Sequence, residues 1–340
     1  MLEHGGRLRS AARRYDIPLA SWLDLSTGIS PWCYPIPDVP SSVWHRLPEP
    51  DDALDATAAR YYGNTRLLAT SGSQAAIQAL PHLFPRGTVT IIGPTYNEHA
   101  AAWSGASHDV YIVKTLKEAI ARAAPITLLC NPNNPTAMHT SPDQLLDAAS
   151  QLGRCQGRLI VDEAYGDAFP ALSVTPYAGT TRAPQLITLR SLGKFFGLAG
   201  ARVGFVFGDP EMLDRLNDLL GPWTINGPAR WVAERALGDL AWHAQQQARI
   251  IAAGAQLESL LRVSLAAAHI KSTGLFSTCA FSTPAAAGSL FEHLAHGGIL
   301  TRLFKTEGLV RIGIPDEHDW NRLTLQLQSW QNQPLDHHDN

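Results

Sequence analysis

Lys194 lies in the run Leu189–Arg202, LRSLGKFFGLAGAR, among glycines, apolar residues and aromatics, three residues after Ser191 and eight before Arg202. The apolar stretches 185–190 and 203–207 on either side predict strands, so the lysine falls in the connection between them. A partly desolvated amine in such a place can attack a carbonyl and form an imine, although a solvated lysine is the ordinary reading. Three other segments carry groups that an imine-forming aldehyde would need. In Arg158–Tyr165, RLIVDEAY, a strand ends in Asp162 and Glu163, with Tyr165 three residues past the first acid. An acid at the carboxyl end of a buried strand stands where α/β sheets face their ligands, and it is also a common helix N-cap.

The second segment is Cys130–Thr136, CNPNNPT, after the apolar run 126–129. Alternating Asn and Pro make a rigid turn that can hold the Asn134 amide still. The third is Ser71-Gly72-Ser73, between a predicted strand at 67–70 and an alanine-rich helix. Backbone N–H groups and hydroxyls at a helix start can cradle a phosphate, though a plain N-cap turn looks the same. Pyridoxal 5′-phosphate asks for this set: an amine for its aldehyde, a carboxylate for its ring nitrogen, donors for its phenolic oxygen and a cradle for its phosphate. The chain contains no G-x-G, no P-loop, no H-E-x-x-H and no G-x-S-x-G, which removes the usual sequence signals for dinucleotide, nucleotide-triphosphate, zinc-protease and serine-hydrolase chemistry.

In order and spacing these pieces resemble the aspartate-aminotransferase-like superfamily, the fold-type I pyridoxal-phosphate enzymes, over roughly residues 20–315. The resemblance implies that Lys194 forms the imine, that Asp162 pairs with the pyridine nitrogen, and that Tyr165 and Asn134 meet the phenolic oxygen. It likewise implies Ser71, Gly72, Ser73, Ser191 and Arg202 for the phosphate cup, Tyr96 for stacking on the ring, and Arg311 for the substrate carboxylate. Within the superfamily, His4-Gly5-Gly6, the segment 25–31 that contains Gly28, Pro222–Asn226 and Gly298–Arg302 resemble the threonine-phosphate decarboxylase family, a relative of the histidinol-phosphate aminotransferases.

That finer likeness implies a homodimeric carboxy-lyase of cobalamin biosynthesis. It would convert L-threonine O-3-phosphate to (R)-1-amino-2-propanol O-2-phosphate and CO2, with the substrate met by His4, Gly5, Gly6, Gly28, Asn134, Arg302 and Arg311. The alternative is an aminotransferase acting on a phosphorylated amino acid such as histidinol phosphate. Three positions depart from the pattern: Leu47 where relatives often carry tyrosine, Ala137 where glycine is usual, and Gly193 where threonine is frequent.

The elements that must position these groups follow from periodicity. Strands are expected at 67–70, 88–92, 109–113, 126–130, 158–162, 185–190 and 203–207, with helices between them. They make a seven-stranded, mostly parallel α/β sheet covered on both faces. Helices are expected at 6–22, 53–62, 209–220 and 228–262, then strands near 268–272, 275–282 and 308–314 around a helix at 285–296. The resulting division is an N-terminal arm, 1–40, belonging in part to the small domain; a large cofactor-binding domain, 41–235; a small α+β domain, 236–332; and a loose tail, 333–340.

Hydrophobic residues make up 45% of the 340 and charged residues 17%, a balance suited to a buried sheet and an oligomer interface. A net charge of -3 gives no electrostatic footprint for nucleic acid, despite the local cluster Arg7, Arg9, Arg13 and Arg14. Cys33, Cys130, Cys155 and Cys279 lack metal-type or redox-type spacing, and His293 with His296 lacks an acidic or cysteine companion, so no metal is expected. No signal peptide or membrane-length apolar run is evident, which points to the reducing cytoplasm.

Overall fold

The computed structural model describes residues 4–266 and 268–331; the expected loose tail at 333–340 lies outside them. Contacts divide the chain into two compact units, one running from Trp32 to Ala248, the other made of the residues up to Pro31 and those from Arg249 onward. The expected boundaries at 40/41 and 235/236 thus differ from the division found. Residues 32–34 group with the larger unit because Tyr34 N donates to Phe196 O at 2.8 Å.

The larger unit is built on β1 (Leu67–Thr70), β2 (Thr88–Ile92), β3 (Asp109–Val113), β4 (Ile126–Cys130), β5 (Arg158–Asp162), β6 (Leu186–Ser191) and β7 (Gly204–Phe207). Their spatial order is β1-β7-β6-β5-β4-β2-β3, with β7 antiparallel to both neighbours and the other pairings parallel. Every residue of β4 and β6 is buried, as expected for strands covered on both faces. On one face Ala76, Ile77, Trp103, Met212 and Leu216, from helices Gly72–Ala79, Asn97–Gly105 and Pro210–Leu220, close over Ile91, Leu128, Ile160, Ile187 and Val206. Crossover helices on both sides leave the carboxyl ends of β4 to β6 as the place for a ligand.

The smaller unit carries a four-stranded antiparallel sheet in the order β10-β11-β9-β8, where β8 is His269–Ser272, β9 Phe276–Ala280, β10 Arg302–Phe304 and β11 Leu309–Gly313. Leu23–Asp24 and Ile299–Leu300 add a short parallel pair. Three expectations are corrected. The helix expected at 6–22 stops at Tyr15, because Asp16 turns left-handed at φ 53 and Pro18 follows; a 3-10 turn, Leu19–Ser21, replaces its end. The single helix expected at 228–262 is two, Gly227–Gly238 and Leu240–Ser264, since Asp239 leaves helical geometry and caps Trp242 N at 3.0 Å. Strand β10 and the helix Trp320–Gln331 were not anticipated. Among the described residues no helix is long and apolar enough to cross a membrane.

Candidate active site

Lys194 follows β6 in a loop that turns back into β7, as its flanking apolar runs require. The lysine is half-buried, and its Nζ lies 5.1 Å from the centre of the Tyr165 ring. The aromatic face gives the ammonium an attractive neighbour that cannot take its proton. Tyr165 is 5% exposed and lies just past the end of β5.

Asp162 ends β5 and is also buried. Its Oδ1 accepts from Ala164 N at 2.9 Å, and its Oδ2 meets His99 Nε2 at 2.8 Å. His99 is fully buried on helix Asn97–Gly105. Burial alone would lower its pKa; the hydrogen bonds to Asp162 and Cys130 and the charges beside it outweigh that and raise it from 6.5 to about 10. The imidazolium therefore sets a positive charge directly against the Asp162 carboxylate inside the buried site. Ligand atoms of His99, Cys130 and Asp162 lie within 4.8 Å of one another, but the His99–Asp162 hydrogen bond already answers the carboxylate's charge and requires no metal.

Glu163, the second acid, does different work. It accepts from Ser173, Thr175, Val174 N and Arg190, and Arg190 also donates to Asp167 at 2.7 Å. This buried ion cluster clamps the chain just after Asp162, and a Cβ at Gly166 would come within 2.8 Å of Arg190 Nη1. In the Asn-Pro turn, Asn131 exchanges hydrogen bonds with Thr140, while Asn133 is held by Thr95, Thr136 and Pro94 O. Two of the three asparagines thus hold the turn, and Asn134, the third, is half-buried beside them. Ala137 takes φ 57, a left-handed backbone that explains why glycine suits that position.

Thr70, Gly204 and Ser191 stand in one row across β1, β7 and β6. That register brings the Ser71-Gly72-Ser73 turn, the Ser191 hydroxyl and Arg202 to one end of the sheet. Gly72 has φ +71, and a Cβ on it would lie 2.8 Å from Arg202 Nη2; one on Gly204 would lie 2.4 Å from Ser73 N. Both glycines are needed for a guanidinium and a helix-start backbone to crowd together. Arg202 itself sits at φ 55, with Nη1 donating to Ala199 O at 3.1 Å. Tyr96 precedes helix Asn97–Gly105, and its hydroxyl donates to Gln74 Oε1 at 3.1 Å, on the helix that opens at the cradle. An amine beside an aromatic ring, a carboxylate paired with a buried imidazole and a cationic cradle that a Cβ would fill are the groups pyridoxal 5′-phosphate needs, so the residues fit that cofactor.

The smaller unit gathers the remaining candidates. Arg302 and Arg311 are direct cross-strand partners on β10 and β11, so their side chains share one face of the sheet. Like charges directly opposite are destabilising unless an anion lies between them. Arg311 is 4% exposed, donates from Nη2 to Ser26 O, and lies over the Phe276 ring at 5.1 Å. Gly5 packs against that same Ser26 carbonyl, where a Cβ would come within 2.4 Å, and Gly6 N donates to Ser26 Oγ at 2.7 Å. Ser26 thus joins the His4-Gly5-Gly6 segment to Arg311, and Gly28, at φ 61, turns the chain just beyond it.

Sequence reasoning missed His99, Ser26 and the Arg190 cluster. The signal for His99 was slight, a histidine three residues past Tyr96 on a buried helix face; Asp162 lies 63 residues downstream.

Comparisons with known proteins bear on the family and the fold. The model for aminotransferase class I and II matches residues 40–326. The chain is 48% identical to a threonine-phosphate decarboxylase of Pseudomonas aeruginosa, covering 96% of this chain and 97% of that protein. It is 40% identical to a threonine-phosphate decarboxylase of a Sinorhizobium species, covering 95% and 97%. Among solved structures, histidinol-phosphate aminotransferase from Sinorhizobium meliloti in complex with pyridoxal-5′-phosphate superimposes with a TM-score of 0.83 at 18% identity, over 97% of this chain and 96% of that one. That last likeness speaks for the fold alone.

Proposed function

We propose, from the premise that the chain belongs to the aminotransferase class I and II family, that it is a pyridoxal-phosphate-dependent decarboxylase. It converts L-threonine O-3-phosphate to (R)-1-amino-2-propanol O-2-phosphate and CO2, the linker precursor of cobalamin. The observation that carries the substrate reading is the Arg302–Arg311 cross-strand pair. Two adjacent guanidiniums suit a small molecule bearing two anionic groups, here a carboxylate and a phosphate, and each can make charge-assisted bidentate bonds. The threonine-phosphate decarboxylases at 48% and 40% identity support the same substrate.

Bound pyridoxal 5′-phosphate supplies an electron sink for the pair released at the substrate's Cα. The protein's own groups decide which bond gives up that pair. Arg311 orients the carboxylate, and Arg302 with His4 and the Gly5-Gly6 backbone holds the phosphate. Asp162, backed by His99, would pair with the ring nitrogen and favour a proton there. Lys194 Nζ would hold the aldehyde carbon and would move a proton, and Tyr165 and Asn134 would hydrogen-bond the phenolic oxygen.

The test supplies the phosphorylated amino acid with and without a keto-acid acceptor while following CO2 and amino-group transfer. CO2 release without an acceptor is expected; acceptor-dependent transfer without CO2 would assign an aminotransferase instead. Arg302→Ala should lower kcat/KM for the phosphorylated substrate by about 30-fold or more, the worth of a lost charge-assisted bond. Free threonine, already a poor substrate, should be little affected. Equal losses on both would remove Arg302 from phosphate recognition.

The protein assembles as a homodimer in the cytoplasm. It exposes Leu47 at 63% beside Pro48 and Glu49, and Trp223 at 59% along a groove with Pro48–Pro50, and exposed apolar surface of this kind marks interfaces. All four cysteines are free, in keeping with a reducing compartment. Sedimentation at micromolar concentration is expected to give a dimer; an active monomer would contradict it.

A further inference from the structure

We infer that Gln246 is a positioning residue for Lys194, acting through the backbone of the loop that carries it; this rests on Lys194 being the lysine that holds the cofactor. Gln246 sits on helix Leu240–Ser264 and is 3% exposed. Its amide nitrogen donates to Phe195 O at 2.8 Å and to Trp32 O at 3.0 Å. Both acceptors are carbonyl oxygens, so the nitrogen, not the oxygen, must face them, one N–H for each. Phe195 is the residue directly after Lys194.

The rest of the surroundings point the same way. Trp242, one turn earlier on the same helix face, stacks on Phe196 at 5.6 Å and meets Phe195 edge-on at 5.7 Å. Residues 32–34 close the other side: Tyr34 N bonds Phe196 O, and a Cβ on Gly197, at φ +68, would fall 2.7 Å from Cys33 Cα. Packing alone fixes the rings but leaves the peptide between Phe195 and Phe196 able to rotate. The Gln246 amide removes that freedom by fixing the direction of the Phe195 carbonyl. A lysine reaches its target through four flexible bonds, so the backbone it starts from decides where Nζ spends its time. A misplacement near 1 Å can cost about 100-fold in rate.

Gln247 provides an internal control. Its Nε2 donates to Ala168 O at 3.1 Å, a bond of the same kind from the next residue to a different segment. The experiment compares wild type, Gln246→Met and Gln247→Met as holoenzymes for kcat, KM and the pH midpoint of the cofactor's visible band. As apoproteins they are compared for melting temperature and rate of pyridoxal-phosphate uptake. Both variants should lose melting temperature to a similar degree. Only Gln246→Met should lower kcat by about tenfold or more at nearly constant KM, slow cofactor uptake and move the band's midpoint. If Gln246→Met matches Gln247→Met in all of these, the inference is overturned.

Gln246→Glu serves if the methionine variant does not fold. Its ionised carboxylate cannot donate to either carbonyl, so activity should recover on acidification relative to wild type; an unchanged pH profile would also overturn the inference. Borohydride fixation of the wild-type holoenzyme, with the labelled peptide located by mass, separates the two levels. A label away from Lys194 removes the premise. A label on Lys194 with indifferent Gln246 variants removes this inference alone.

Discussion

Lys194→Ala is expected to lower turnover by about 10^4-fold or more and to remove the cofactor band that borohydride abolishes in the wild type. The effect is large because the proposed role gives one side chain two jobs: it would hold the cofactor's aldehyde carbon and would move a proton during the reaction. Losing both leaves the ring and phosphate contacts to bind a cofactor that is no longer anchored or served by a base. The fold should survive, since Lys194 is only half-buried and its ring neighbour Tyr165 keeps its place at the end of β5. The variant's melting temperature as apoprotein should therefore stay close to that of the wild type. A small primary amine added to the assay should restore part of the rate by entering the space the side chain leaves. Near-normal turnover without added amine would show that the lysine has been misassigned.

Asp162→Asn should lower kcat by about 10^3-fold, as removal of a preorganised charge at a developing ionic centre does. The amide keeps the shape of the carboxylate but cannot answer a proton on the ring nitrogen with a negative charge. It also strips His99 of its counter-ion, and this gives a second readout that needs no cofactor. In the wild-type apoprotein His99 is raised from 6.5 to about 10. A raised pKa means that its contribution to stability is fully present below pH 6.5 and is lost as pH rises through about 10. In the variant, Cys130 alone is left to oppose the burial of His99, and the contribution shrinks. Thermal melts of the two apoproteins between pH 6 and 10 should therefore show the wild type's advantage shrinking as pH rises. A gap independent of pH would mean that His99 and Asp162 do not share charge, and normal turnover in Asp162→Asn would end the ring-nitrogen role.

The sequence by itself determined the large sheet and the kinds of chemistry gathered on it. Strands such as Ile126–Cys130 and Arg158–Asp162 are short apolar runs ended by turn residues or acids, and their bounds follow from composition alone. Asp162 and the Ser71–Ser73 turn stand out because each follows an apolar run at a strand's end, and Lys194 because it is a lone lysine among glycines and aromatics in the connection between two strands.

Helix ends were less legible. The break at Asp239 rests on a side-chain cap to Trp242 N, a local competition that a continuous apolar period conceals. What only the tertiary structure decided were the pairings across long sequence distances. His99 reaches Asp162 because helix Asn97–Gly105 packs on the sheet beside β5, and nothing near either residue marks the other. Arg302 stands opposite Arg311 through the register of two strands, one of them too short to show a period. Gln246 reads as one more polar residue on a long helix until its amide is seen between two carbonyls, 51 and 214 positions away. Periodicity reports which face of an element is buried; it carries no information about which buried group lies across from it. That is settled by packing, where side chains from distant segments must satisfy one another's charges and hydrogen bonds.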